Sequence, residues 1–223
     1  YQDVKNVYHQ EFDEAVEACD FALAADDKFG EAHIIRAHSL FHLENETEAI
    51  QEYQLALQSK SLPPDFAHMF IGLAYANQEK WELAYRSYEQ AMKIIGDDNS
   101  PILSDIYSNE IFCLSKLGRY EEAHQLCEKA KKQLPESVEI YLQEGRLYLE
   151  EDKFEEAKQC WAVALQYAPE AETLVQIGNY SLDYGMVENA RLCFEEAKKQ
   201  DPDYPGINGR LASICMILRD HKG

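Results

Sequence analysis

Small apolar residues recur along this chain at helical spacing, and they do so in copies. An alanine at position 15 returns as Ala49, Ala84, Ala123, Ala157 and Ala190, at intervals of 34, 35, 39, 34 and 33 residues. Seven residues after each stands a second alanine: Ala22, Ala56, Ala91, Ala130, Ala164 and Ala197. Between the two, four after the first, come Tyr53, Tyr88, Trp161 and Phe194. Residues four and seven apart share one face of a helix, so each copy predicts a helix that lays a small–large–small face against its neighbours. An aromatic three residues before the anchor (Phe12, Trp81, Tyr120, Phe154) marks the start of that helix.

About twelve residues upstream of each anchor lies a second helical pattern, marked by Ala37, Gly72, Gly145 or Gly178. Glycine inside a helix costs about 1 kcal/mol relative to alanine, so its return at one register position needs a reason. Close approach of a neighbouring helix supplies one. Tyr75 and Tyr148 follow three residues later in two copies, and Pro63, Pro135, Pro169 and Pro202 close units because proline cannot continue a helix. The spacing predicts helix pairs at 1–9/12–25, 31–43/47–60, 65–77/81–95, 100–117/120–133, 137–150/154–167 and 171–184/187–200. A last helix near 205–219 carries Ala212 at the small position.

This pattern resembles the tetratricopeptide repeat family, with its period near 34, small residue in helix A, paired alanines in helix B and closing proline. The resemblance covers essentially the whole chain. It implies an all-α fold, a right-handed superhelical solenoid of antiparallel helix pairs whose A helices line a concave groove. Residues 1–223 then form a single solenoid of about six repeats (1–29, 30–64, 65–99, 100–137, 138–170, 171–203) and a terminal helix at 204–220. Two departures stand out. The fourth repeat is late by four to five residues, placed in GDDNSP (96–101), and has Ile111 where a small residue is expected. Wider helix spacing and a bend are expected at that joint. The first repeat reads as truncated at Tyr1, as in a processed or excised segment of a longer chain.

Composition narrows the partners. With 41 acidic against 21 basic residues and a net charge of −20, the chain lacks the Lys and Arg that displace counterions from nucleic acid or dock on anionic lipid. No apolar run reaches the roughly 18–20 residues of a membrane span. The six cysteines show neither CxxC nor zinc-finger spacing and read as reduced thiols packed as small hydrophobes. That favours a cytoplasmic setting, with a periplasmic protein after signal removal as the alternative.

Catalytic patterns are missing: the sequence has no Gly-rich phosphate loop, no GxSxG and no HExxH. Glu121–Glu122 and Glu155–Glu156 open helix B, where carboxylates favour the positive end of the dipole, and adjacent helical residues point apart. His38 and His42 lie one turn apart, a spacing that can bind zinc or nickel, but Glu46 falls beyond the helix end and no further ligand follows. Cys113 and Cys127 sit on the two helices of one repeat and read as buried inert thiols rather than a redox pair. No catalytic residue, metal ligand or cofactor site is assigned.

Recognition is the better reading. The resemblance places Ile34, Ile35, His38, Phe41 and His42 on the groove side of one A helix. Phe66, Met69, Phe70, Leu73 and Asn77 follow on the next, then Ser108, Asn109, Phe112 and Lys116. Leu142, Gln143 and Arg146, and then Val175, Gln176 and Asn179, complete the series. The resulting groove is apolar and aromatic in its N-terminal half and carries amides and two cations beyond. Such a surface suits an extended or helical peptide, and Asn109, Lys116 and Arg146 could grip one carboxylate. One family subclass holds the C-terminal carboxylate of heat-shock chaperones with Lys and Asn in the first repeats. Ile34 and Phe66 occupy such places here, which argues against that clamp. The expected function is therefore a non-enzymatic protein–protein interaction module or scaffold. The alternatives are a regulatory or sensor segment of a larger protein and a self-associating assembly factor joined through terminal repeats.

Overall fold

In a computed structural model that describes residues 2–96 and 100–220, the described residues form twelve α-helices and no strand. The chain falls into two compact units, Tyr1–Arg119 and Tyr120–Gly223. The first contains α1 (Gln2–Ala25), α2 (Gly30–His42), α3 (Glu46–Gln58), α4 (Pro64–Asn77), α5 (Trp81–Ile95) and α6 (Leu103–Lys116). The second contains α7 (Tyr120–Gln133), α8 (Val138–Glu150), α9 (Phe154–Tyr167), α10 (Ala171–Asp183), α11 (Val187–Gln200) and α12 (Ile207–Asp220). Within each unit, helices adjacent in sequence pack as antiparallel neighbours.

The repeat register explains the packing. The paired alanines of α3, α5, α7, α9 and α11 are all 0% exposed. The large residue between them lies against the small residue of the preceding A helix. A Cβ placed on Gly72 would sit 2.7 Å from the Tyr88 ring, and one on Gly178 would sit 2.4 Å from Phe194. At Gly145 the added atom would clash with Trp161, whose indole Nε1 donates to the Leu142 carbonyl at 3.4 Å. Glycine is therefore present because the aromatic of the next helix occupies the space of a side chain. Glu121 and Glu122 open α7, and Glu155 and Glu156 open α9, as the dipole argument predicts.

The turns within the helix pairs are also built alike. After α2, α4 and α8 the chain enters the left-handed region at Glu44, Glu79 and Asp152, and after α6 and α10 at Gly118 and Gly185. In each, the N–H of the following residue reaches back to the carbonyl five residues earlier: Asn45 to Leu40, Lys80 to Tyr75, Arg119 to Leu114, Lys153 to Tyr148, Met186 to Ser181. These are Schellman caps, which satisfy the last carbonyls of the helix while reversing the chain. Three of the five occupy the left-handed position without glycine, which is why turn chemistry alone does not mark them in the sequence.

One predicted element differs. The pair expected at 1–9/12–25 is a single helix, α1, because nothing in HQEF (9–12) breaks a helix. The other boundaries fall within about three residues of expectation. The surplus of the fourth repeat lies between Gly96, which ends α5 at φ +61°, and Leu103; residues 97–99 are outside the described residues. Ile95, Ile102, Leu103 and Ile106 are buried there, so large aliphatics fill that joint. In the same repeat Ile111 takes the small position and Cys127 the large one, and both are buried.

Two substitutions test this register. Gly145→Ala is expected to destabilise the chain by about 1–3 kcal/mol, because Trp161 has nowhere to move. Glu79→Gly is expected to stabilise it by about 0.5–1 kcal/mol, as left-handed strain is relieved and partly offset by glycine's chain entropy. Urea unfolding of the two variants should therefore shift in opposite directions.

Candidate functional site

In each unit the A helices approach one another, α4 with α6 and α8 with α10, more closely than the B helices do. Their exposed faces carry most of the residues that the sequence named as candidates. Several contacts join one A helix to the next. In the first unit the His38 ring meets Phe70 edge-on at 4.7 Å between centroids. In the second, Gln143 Nε2 donates to the Tyr180 hydroxyl at 3.3 Å and the Arg146 guanidinium lies 5.6 Å from the Tyr180 ring centroid. The Arg210 guanidinium of α12 donates through Nε to Asn179 Oδ1 at 3.2 Å.

The first unit presents an apolar and aromatic face. Phe70 stacks on Tyr53 at 5.3 Å, and Tyr53 Oη lies 2.8 Å from His38 Nδ1. Phe66 and Phe70 rest half-buried on the core formed by Ala37, Leu40, Tyr53, Ile71 and their neighbours. The His42 ring stacks on Phe12 of α1 at 4.5 Å, a contact that the sequence did not suggest. Met69 and Leu73 are half-buried, Asn77 is exposed, and Ile35 is 52% exposed. On α6, Phe112 meets Trp81 edge-on at 5.3 Å with Lys116 Nζ 5.5 Å from its ring centroid. Asn109 Nδ2 donates to the Asp105 carbonyl at 2.8 Å, which engages one of the two donors of its amide. Ser108 is buried and bonds the same carbonyl.

The second unit presents a polar and aromatic face. Burial, and next the Glu139 carboxylate, raise the Tyr180 pKa. The phenol of Tyr184 is pushed up to about 12 by burial first and then by Glu150, with Arg146 opposing. Gln176 and Asn179 are half-buried beside them, whereas Leu142 and Val175 belong to the core. Sequence reasoning missed Tyr180, Tyr184 and Arg210. Tyr180 lies one turn after Gln176 on the same face, a signal that was available. The bond from Arg210 to Asn179 joins residues 31 apart and left no local trace.

The residues weighed for other chemistry make structural contacts. His38 Nδ1 faces Tyr53, His42 lies flat on Phe12, and no group of three or more potential ligands that could hold a metal ion occurs among the described residues. Burial pushes the Cys113 thiol up to about 12 and raises that of Cys127, so both are poor nucleophiles. Two buried carboxylates serve as ties between helices. Glu52 of α3 holds His33 at 2.5 Å and Arg36 at 2.8 Å on α2. Glu144 of α8 accepts from Lys131 of α7 at 2.8 Å and from the Cys160 thiol of α9 at 3.2 Å.

Burial, more than the neighbouring His42, holds the His38 pKa below its ordinary 6.5. The unfolded chain therefore takes up this proton first as the pH falls. The contribution of neutral His38 is constant above about pH 6.5 and declines below it. The stability difference between wild type and His38→Gln should shrink as pH drops from neutral through that range, and the His38 imidazole should titrate below 6.5 by NMR. A pH-independent difference would show that His38 ionises freely in the folded chain.

Two comparisons place the fold. Residues 7–65 and 114–177, together more than half of the chain, match models of the tetratricopeptide repeat. Similar solved structures include a tetratricopeptide repeat protein from Parabacteroides merdae, 18% identical with a TM-score of 0.69 over 92% of this chain and 78% of that one. TTC0263, a thermophilic TPR protein from Thermus thermophilus, is 16% identical with a TM-score of 0.66, over 84% of this chain and 99% of that one. YrrB, described as a TPR protein with an unusual peptide-binding site, is 21% identical with a TM-score of 0.51, over 87% and 97%. No curated protein sequence matches. Proteins with this fold are generally interaction modules, and no helix among the described residues is long and apolar enough to cross a membrane. Register, packing and family models agree: the chain belongs to the tetratricopeptide repeat family.

Proposed function

We propose that the protein is a non-enzymatic scaffold whose A-helix faces bind an extended or helical peptide segment of a protein partner. The observation that carries this reading is the division of labour between the helices. From α3 onward the B helices place their paired alanines and the residue between them in the core, whereas the A helices keep a partly open face with half-buried Met69, Leu73 and Phe70 and exposed Ile35. Apolar side chains held partly open beside a few polar groups are the usual lining of a peptide groove. On the second unit, Arg146, Gln143 and Tyr180 form a compact polar cluster suited to a carboxylate or a backbone amide of such a segment. YrrB, a protein of this fold, is described as having an unusual peptide-binding site, which supports a peptide as the ligand.

Selection from a displayed random-peptide library should yield ligands for the wild-type chain. Met69→Glu or Arg146→Glu should weaken them about tenfold or more, roughly 1.4 kcal/mol. Lys93→Glu, on the exposed outer side of α5, should leave binding unchanged. A ligand panel that ignores both groove substitutions would remove the groove as the binding site.

A further inference from the structure

The His38 ring of α2 is fixed by two neighbouring helices. It stands edge-on to Tyr53 of α3 at 5.4 Å and to Phe70 of α4 at 4.7 Å between centroids. Tyr53 is 1% exposed, and burial raises its phenol pKa, so the hydroxyl keeps its proton. The one hydrogen-bond partner of that hydroxyl among the described residues is His38 Nδ1, at 2.8 Å. A buried O–H without an acceptor is costly, so the O–H donates and Nδ1 accepts. Burial first, and His42 next, hold the imidazole below its ordinary 6.5, so near neutral pH the ring carries one proton. With Nδ1 engaged as an acceptor, that proton is on Nε2.

This second nitrogen is open. The two nitrogens of an imidazole point to roughly opposite sides of the ring, so Nε2 is directed away from Tyr53 and the core around it. It has no hydrogen-bond partner among the described residues. Nor is it enclosed, since the buried side-chain atoms without a partner are Gln78 Oε1 and Tyr88 Oη. His38 thus presents a single N–H donor beside half-buried Phe70 and beside Ile35, 52% exposed and one turn earlier on α2.

The next repeat shows that the phenol does not require a histidine. Tyr88 stands at the register position of Tyr53, and Leu73 at that of His38. The Tyr88 hydroxyl is buried without a partner, yet Ala84 and Ala91 on either side of it are 0% exposed. Packing around the tyrosine is complete there with a leucine, so the outward N–H of His38 has no structural task.

The surroundings of the donor select its ligand. Helix α4 contains no Lys or Arg, and the one in α2, Arg36, is bound to Asp20 and Glu52. A carboxylate laid on this apolar face would lose hydration without gaining a cation, whereas a neutral carbonyl is satisfied by one donor. In a helical peptide the inner carbonyls are already bonded to the N–H four residues on. An extended segment leaves its carbonyls free.

Resting on the groove reading above, we propose that His38 contacts the ligand directly. Its Nε2–H donates to a main-chain carbonyl of an extended, apolar peptide segment whose side chains lie on Ile35, Phe70 and Leu73. Tyr53 is a positioning residue behind it, because its hydroxyl selects the tautomer that turns the proton outward.

Nitrogen–proton correlation NMR of the free wild-type chain at neutral pH should show His38 protonated at Nε2 and not at Nδ1. The binding test uses peptides selected on the wild-type chain from a displayed random library, taking those that Met69→Glu weakens. His38→Asn can still accept from Tyr53 at the place of Nδ1 but has no donor at that of Nε2. It should weaken these peptides about fivefold, the size of one hydrogen bond. His38→Gln, whose amide reaches the place of Nε2, should stay within about twofold of wild type. Replacing each peptide amide in turn by an ester, which weakens the carbonyl as an acceptor, should single out one position. That sensitivity should vanish in His38→Asn. Circular dichroism should show both variants folded. A proton on Nδ1, equal losses in the Asn and Gln variants, an ester scan with no sensitive position, or His38→Asn binding like wild type would each overturn the inference and leave the groove standing. If no selected peptide responded to Met69→Glu, the first-unit groove would fall and this inference with it.

Discussion

The contact on which this structure depends is an aromatic ring seated where a side chain would otherwise be. Tyr88 fills the space beside Gly72, Trp161 beside Gly145 and Phe194 beside Gly178, and each ring is almost wholly removed from water. Burial of a large aromatic is among the strongest single contributions a side chain makes to a core. Here it also sets geometry, because the ring can enter only if the facing residue has no side chain of its own. The glycine's intrinsic helix penalty is accepted in exchange for a much larger buried area. The fully buried alanines on either side of the ring let the helices close around it.

That contact separates the two helices of a repeat by role. The B helix is committed to the core on its inner face and carries charge on its outer one. The A helices pack against the B helices next to them in sequence and keep one partly open face. In the first unit this face is built from His38, Phe70, Met69 and Leu73; in the second, from Gln143, Arg146, Tyr180 and Tyr184. The buried ties at Glu52 and Glu144 fix neighbouring helices in register, which keeps these faces in place.

Much of this was legible in the sequence, because a repeat writes each contact several times. The alanine pairs, the intervening aromatics and the returning glycines specified helix boundaries, partners and family, and the acid pairs were correctly read as helix starts. The sequence misled where no local signal existed. HQEF held no breaker, so α1 runs on through the expected gap. Of the candidate site, the family resemblance named a face for each A helix, but Ser108, Leu142 and Val175 of that set are buried, and what the other side chains meet was not readable from the sequence. Tyr53 accounts for the ring orientation of His38, Phe12 for that of His42, and Arg210 engages Asn179 from a helix 31 residues away. Local periodicity determines which side of a helix faces inward. Which atoms meet there depends on side chains brought from distant positions, and only the packed tertiary structure decides that.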